Sequence, residues 1–159
     1  MQLVGNGLIS FGNNVHLGYF PSPYFYDGSI YIESRTADSY IQFGDNVYIN
    51  NNCTFIAENE SIYIGSNTLI GTSCEIINSD FHDLDPLKRQ SGNPKTAKVH
   101  IGENVFIGSN VKILKGVIIG NNSVIANGSI VIKSIPENCI AGGNPAKVIK
   151  LLEQKNAVI

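Results

Sequence analysis

Reactive side chains are sparse in this chain, and the segment Ser79-Asp-Phe-His82 places a histidine close to a carboxylate. An imidazole titrates near neutral pH, so His82 can take a proton from a weak nucleophile such as a hydroxyl group. Asp80 comes two residues earlier and, along an extended segment, points to the same side, where it can orient the ring. A structural alternative also fits, in which His82 is a loop histidine satisfied by Asp80 or Asp83.

The other side chains that bind metals or act as nucleophiles are dispersed. His16 and His100 are far from His82 in sequence, and none of the three histidines pairs at the close spacing of zinc ligands, so we predict no metal site. The cysteines are Cys53, Cys74 and Cys139. Their number and spacing match neither a zinc site nor a disulfide framework, which favours buried reduced thiols.

A six-residue repeat governs residues 101–136. Aliphatic residues recur at positions 101, 107, 113, 119, 125 and 131, each followed four places later by a small or β-branched residue. This period fits a short parallel strand and a tight turn repeated around a solenoid, and it fits neither a helix nor a plain amphipathic strand. We therefore predict an all-β parallel β-helix with three hexapeptides per turn. The predicted stacked pairs are Ile101 with Ile119, Ile107 with Ile125, and Ile113 with Val131.

Departures from the repeat divide the rest of the chain. Residues 19–28, with the aromatic insertion Tyr19–Tyr26, predict an irregular excursion that covers the first coil, fills a subunit interface or stacks on a sugar. The phase slips by three residues between positions 57 and 62. Residues 79–98 contain two prolines and lack apolar periodicity, so we predict an extended loop of the kind that carries function. A short helix or strand cap is expected within 147–155.

Composition limits the domain count and the partners. The 159 residues predict one β-helix domain over 1–150, followed by a tail over 151–159. A net charge of −2 offers no basic stripe, which argues against nucleic acid as a partner. No apolar run approaches the roughly 18 residues of a membrane span, and the first residues do not form a signal peptide. We therefore expect a cytoplasmic protein.

The motifs resemble those of a known family. Ser79-Asp-Phe-His82, the repeats of 101–136 and the ending Gly143-Asn-Pro-Ala-Lys147-Val-Ile-Lys150 follow the order found in hexapeptide-repeat acetyltransferases. Over residues 40–150 the chain is similar to galactoside, maltose and xenobiotic acetyltransferases and to capsule or O-antigen O-acetyltransferases. The resemblance implies a left-handed β-helix that transfers an acetyl group from acetyl-CoA.

The resemblance also implies roles for individual residues. Family members use a histidine at the mouth of this loop as general base, and the matching residue is His82. They bind acetyl-CoA between coils of adjacent subunits, and the matching positions are Ser109, Asn127, Lys133, Lys147 and Lys150. Lysines suit the phosphate end of the donor because they act as point charges.

The acceptor side is implied less directly. Asn51 matches a position that contacts the acceptor in sugar acetyltransferases, although a turn asparagine fits equally well. We also predict that Asp80 contacts the acceptor. A backbone N–H at Gly108 or Ser109 is a candidate donor to the oxyanion. Maltose-type relatives carry an N-terminal helical segment, and this sequence shows the aromatic insertion Tyr19–Tyr26 instead, which favours a glycan or glycan precursor as acceptor.

Three other functions compete with O-acetylation of a sugar hydroxyl. The chain can instead N-acetylate a nucleotide-linked amino sugar, or serve as a non-catalytic solenoid scaffold, which needs neither His82 nor the lysines. A zinc hydratase of the γ-carbonic anhydrase type shares the solenoid but needs three converging histidines. Apolar residues that a narrow core cannot absorb, such as Phe106, Val124 and Ile130, predict a homotrimer with active sites at its subunit interfaces.

Overall fold

The computed structural model describes residues 1–153, and all of its regular secondary structure is β-strand, as the repeat predicts. In chain order the strands are β1 (Gln2–Gly5), β2 (Leu8–Phe11), β3 (His16–Leu17), β4 (Tyr31–Ser34), β5 (Tyr40–Phe43), β6 (Tyr48–Ile49), β7 (Thr54–Ala57), β8 (Ser61–Ile64), β9 (Leu69–Ile70), β10 (Glu75–Ile77), β11 (Val99–Ile101), β12 (Phe106–Ile107), β13 (Lys112–Ile113), β14 (Ile118–Ile119), β15 (Val124–Ile125), β16 (Ile130–Val131), β17 (Cys139–Gly143) and β18 (Ala146–Leu151). No helix within residues 1–153 is long and apolar enough to cross a membrane.

The strands form the three faces of a prism. Sheet A has the order β1-β4-β7-β10-β13-β16, sheet B has β2-β5-β8-β11-β14, and sheet C has β3-β6-β9-β12-β15-β17-β18. From β1 to β13 each strand pairs in parallel with the strand three places later, so each of these turns of the chain adds one strand to each face. This is the predicted β-solenoid.

The core is a narrow apolar column inside the prism. Ile101 pairs with Ile119, and the two other predicted stacks, Ile107 with Ile125 and Ile113 with Val131, are also confirmed. All six side chains are fully buried. Because inward positions alternate with outward ones along each strand, each coil buries its aliphatic residues only against the coils above and below it.

The length of a coil changes along the chain. The hydrogen-bonded pair Asn46 and Asn67 is 21 residues apart, whereas Asn104 and Asn122 are 18 apart. The three extra residues are the predicted phase slip, and they form the turn between β7 and β8. The last coil is shorter, and Ile135 pairs with Ile119 across it. The repeat predicts position 135 in the column of small or β-branched residues, and this column assignment is wrong, because the shortened corner moves Ile135 into the aliphatic column.

Asparagines form the corner between sheets B and C. Six of them adopt a left-handed conformation with φ between 54° and 60°: Asn14, Asn46, Asn67, Asn104, Asn122 and Asn138. Asparagine tolerates this conformation better than most residues. In four cases the side-chain amide of one asparagine donates a hydrogen bond to the side chain of the next asparagine along the corner, as from Asn104 to Asn122 at 2.9 Å. The corner is thus held by a ladder of amides that follows the repeat.

The two ends of the prism differ. After β3 the excursion 19–28 presents Phe20, Phe25 and Tyr26, whose exposed rings pack edge to face with centroids 5.1 to 6.1 Å apart. At the other end β18 turns back and pairs antiparallel with β17. The predicted cap is therefore a strand, while most of the tail predicted over 151–159 lies outside the described residues.

Candidate active site

His82 stands where the chain leaves the prism between sheets A and B. The loop is closed at its base by an antiparallel bridge between Ser79 and Thr96 and by a hydrogen bond from the Asp80 N–H to the Lys95 oxygen, at 3.1 Å. These two contacts fix both ends of the extended loop predicted over 79–98. His82 itself is exposed, so a ligand can reach it.

The imidazole of His82 is oriented by the loop backbone. Its Nδ1 lies 3.2 Å from the carbonyl oxygen of Arg89. A carbonyl oxygen can only accept a hydrogen bond, so Nδ1 carries the proton of the neutral ring and Nε2 keeps its lone pair. Arg89 is held in turn by its guanidinium, which donates to the Leu84 oxygen at 3.3 Å. The arrangement leaves Nε2 available to accept a proton.

Asp80 does not orient His82. Phe81, between them, has φ of 59°, so the segment is not extended and the two side chains do not point to the same side. Our expectation of an Asp80–His82 contact is therefore wrong. Asp80 instead accepts a hydrogen bond from Lys115 Nζ at 2.7 Å, while its Oδ2 is buried without a partner in the described part of the chain.

A small cavity lies beside this ion pair. It measures about 300 Å³ and is lined by Ile77, Ser79, Asp80, Phe81, Leu114, Lys115 and Ile132. One end is therefore charged, and apart from Ser79 the rest is apolar or aromatic, which suits a ligand with both kinds of surface. Sequence reasoning missed Lys115, because its partner is 35 residues away and only the stacking of β10 on β13 brings the two together.

Asn51 anchors the aromatic excursion. Its Oδ1 accepts from the Tyr19 N–H at 3.1 Å, and its Nδ2 donates to the Tyr19 and Pro23 oxygens at 3.0 and 2.9 Å. The residue is only 5% exposed, so its amide is engaged within its own chain. The acceptor contact suggested by family resemblance stays a prediction, and the observed role is to hold the excursion on the first coils.

The residues expected to bind acetyl-CoA fall at different corners of the prism. Ser109 and Asn127 lie between sheets C and A, and Lys147 and Lys150 lie on β18, the last strand of sheet C. Lys133 follows β16 at the corner between sheets A and B, the corner from which the His82 loop leaves. Sheet A separates the two corners by about four extended residues, roughly 13 Å. Within one chain, therefore, these residues do not converge on a single site.

The proposed oxyanion donors are already in use. The Gly108 N–H donates to the Ile125 oxygen at 2.8 Å, and the Ser109 N–H donates to Asn127 Oδ1 at 2.9 Å. Both groups are therefore engaged in the stacking of coils, and their role as oxyanion donors stays a prediction. The Ser109 hydroxyl likewise accepts from the Thr72 N–H at 3.2 Å, so Ser109 and Asn127 also tie coils together.

The remaining candidate groups lie apart from His82. His16 stacks on Tyr48 and His100 stacks on Tyr63, as expected of structural histidines. The cysteines are buried free thiols, and a hydrogen bond with Cys74, together with burial, raises the pKa of the Cys53 thiol. Within residues 1–153 no group of three or more His, Cys, Asp or Glu side chains is arranged to hold a metal ion.

Comparison with known proteins identifies the family. Residues 98–133 match the family model described as bacterial transferase hexapeptide (six repeats). The chain is 44% identical over 119 residues to the putative acetyltransferase YJL218W of Saccharomyces cerevisiae, covering 75% of this chain and 60% of the relative. It superposes with a TM-score of 0.73 and 30% identity on a Vibrio cholerae hexapeptide-repeat acetyltransferase complexed with acetyl-CoA, covering 89% of this chain and 70% of that one. The chain belongs to the hexapeptide-repeat acetyltransferase family.

A second solved member of the family is also similar. A galactoside acetyltransferase in complex with coenzyme A superposes on this hexapeptide-repeat chain with a TM-score of 0.72 and 32% identity, covering 91% of this chain and 66% of that chain. The chain spans about 60% of the length of its yeast relative. Family membership therefore establishes the left-handed β-helix.

Proposed function

We propose that this protein is an acetyl-CoA-dependent O-acetyltransferase that acetylates a sugar hydroxyl of a glycan or glycan precursor, with His82 as general base. The observation that carries the proposal is the contact between His82 Nδ1 and the Arg89 oxygen, which leaves Nε2 as the proton acceptor. Family membership supports acetyl-CoA as the donor, and the similarity to a galactoside acetyltransferase supports a sugar as the acceptor.

In the proposed reaction His82 accepts a proton from the sugar hydroxyl and later donates it to the leaving thiolate. A sugar hydroxyl is a poor nucleophile at neutral pH, and His82 Nε2 takes its proton as the oxygen attacks the thioester carbonyl. The tetrahedral intermediate then expels coenzyme A as a thiolate, which takes the proton back from the imidazolium. The ester forms, the C–S bond breaks, and His82 returns to its starting state. A base so placed contributes on the order of 10² to 10⁴ in rate.

The distribution of residues over two corners supports sites built from two subunits. His82 and the Asp80–Lys115 cavity lie at the corner between sheets A and B, whereas Ser109, Asn127, Lys147 and Lys150 lie toward sheet C. A neighbouring subunit can place its sheet C residues against the corner between sheets A and B of this subunit. We therefore keep the homotrimer with shared interfacial sites as part of the proposal.

Acetyl transfer to a panel of acceptors tests the proposal. The purified protein is incubated with acetyl-labelled acetyl-CoA and with neutral sugars, glycan fragments or nucleotide-linked amino sugars. We expect label in a product that mild base or hydroxylamine cleaves, because these reagents cleave esters and leave amides intact. A base-stable product would establish N-acetylation instead. No transfer to any acceptor, with no thermal stabilisation by acetyl-CoA, would favour a binding scaffold; a ligand at about 100 times its Kd stabilises by about 2.7 kcal/mol.

A further inference from the structure

An ion pair and a cation–π contact lie beneath the turn that presents His82. Arg35 follows β4, two coils away from the loop along sheet A, and its guanidinium carbon lies 4.7 Å from the centre of the Phe81 ring. Glu33 binds the guanidinium through two hydrogen bonds, from Nε at 2.8 Å and from Nη2 at 3.1 Å. Neither residue is among the acetyl-CoA positions described above.

The ion pair is built to hold the guanidinium in one plane. The Glu33 side chain is 14% exposed, and its Oε2 also accepts a hydrogen bond from the Tyr31 hydroxyl at 3.0 Å. The hydrogen bond to Arg35 lowers the pKa of Glu33, and the same bond raises the pKa of Arg35, so both groups stay charged. A bidentate Arg–carboxylate pair fixes orientation as well as position, which a Lys cannot do.

Phe81 is the residue that needs such support. Its φ of 59° is unusual for a bulky side chain and persists only where the surroundings impose it. The Ser79 hydroxyl accepts the Phe81 N–H at 2.9 Å and donates its own hydrogen to the Glu58 carboxylate. The main chain of Phe81 is thus held by Ser79, while the ring is held by Arg35.

We propose that Arg35 is a positioning residue for His82, which it places by clamping the ring of Phe81 in the left-handed turn. His82 is the next residue, so the direction in which its side chain leaves the prism is set by the Phe81 main chain. Loosening the clamp displaces His82 Nδ1 from the Arg89 oxygen and frees the ring to rotate. The inference rests on the proposed role of His82, and Arg35 acts only through Phe81.

A set of variants tests the clamp by steady-state kinetics. Arg35→Ala is expected to lower kcat about 10-fold, because small displacements of a catalytic group cost rate, while KM for acetyl-CoA stays within about twofold. Arg35→Lys should not restore kcat, since a single ammonium cannot form the fork and stack on the ring. Phe81→Leu keeps apolar bulk without the aromatic face, and it should reproduce the loss. The double variant should lose no more than either single variant, because both remove one contact.

Lys112→Ala is the matched control, because it removes another ion pair of sheet A, to Glu75 at 2.7 Å, that does not touch the loop. It should leave kcat unchanged. The inference is overturned if Arg35→Ala or Phe81→Leu keeps kcat within about twofold of wild type, if Arg35→Lys is fully active, or if the two losses add. In those cases a loss of activity in His82→Ala would still support the assignment of His82 as general base. An active His82→Ala enzyme would instead show that His82 is not the general base.

Discussion

The Nδ1 atom of His82 lies 3.2 Å from the main-chain oxygen of Arg89, seven residues further along the same loop. The tautomer of the proposed base therefore depends on the conformation of the loop and not on a neighbouring carboxylate. Because the carbonyl accepts only when Nδ1 is protonated, the contact favours the tautomer in which Nε2 can take a proton.

Replacing His82 should separate catalysis from donor binding. His82→Ala is expected to lower kcat at least about 10²-fold, because the hydroxyl then loses its general base, while acetyl-CoA binding stays nearly intact. Initial rates and a thermal shift with acetyl-CoA measure the two effects. His16→Ala serves as a control, since His16 stacks on Tyr48 on sheet C, whereas the loop leaves the prism between sheets A and B. If His82→Ala retains more than about a third of wild-type activity, the base lies elsewhere.

The lysines of β18 should show the opposite behaviour. Lys147→Ala and Lys150→Ala are expected to raise KM for acetyl-CoA several-fold with less effect on kcat, because a point charge on the donor phosphates contributes mainly to binding. Lys147→Arg, which keeps the charge, should behave more like the wild type than Lys147→Ala does. A fall in kcat at unchanged KM would remove these lysines from the donor site.

A polar substitution in the core tests the register of the coils. Ile119 is fully buried between Ile101 and Ile135, so Ile119→Asn places an unpaired amide in the apolar column. The amide costs on the order of 1–3 kcal/mol, and the lost aliphatic burial adds to it. The neighbouring Ile118 is 54% exposed, and Ile118→Asn should melt close to the wild type. Equal melting temperatures for the two variants would contradict the register.

The Glu33–Arg35 pair should contribute stability that depends on pH. The pKa of Glu33 is lowered from its usual value of 4.5, chiefly by the hydrogen bond from Arg35. A carboxylate whose folded pKa is depressed stabilises the fold above its unfolded pKa, and that contribution is lost as the pH falls through the folded pKa. The difference in Tm between wild type and Glu33→Gln should thus be largest near about pH 7 and shrink below about pH 4. A difference that stays constant with pH would assign the effect to packing alone.

Mixed oligomers test whether a site is built from two chains. His82→Ala subunits keep the lysines of β18, and Lys147→Ala subunits keep the loop. At acetyl-CoA concentrations below the raised KM, mixing them should therefore give more activity than either parent alone. Light scattering should show a homotrimer near three times 17.2 kDa. A fully active monomer, or mixtures no more active than the parents, would contradict the shared site.

The periodicity of the sequence determined most of the fold. Ile101, Ile107 and Ile113 recur every six residues, and since a solenoid stacks equivalent positions, their partners could be predicted from spacing alone. The loop could be recognised too, because the repeat stops after residue 79 and resumes near 99. Where the spacing changed without a clear signal, as at the shortened corner before Ile135, the prediction failed.

The tertiary structure alone decided how the site is assembled. His82 could be singled out from its motif, but its partner Arg89 could not, since a main-chain carbonyl leaves no mark on the sequence. The positive φ of Phe81 turned Asp80 away from His82, and the stacking of coils supplied Lys115 as its partner instead. Arg35 reaches Phe81 for the same reason. Side chains separated along the chain meet wherever coils place equivalent positions one above another, and a local pattern carries no information about such contacts.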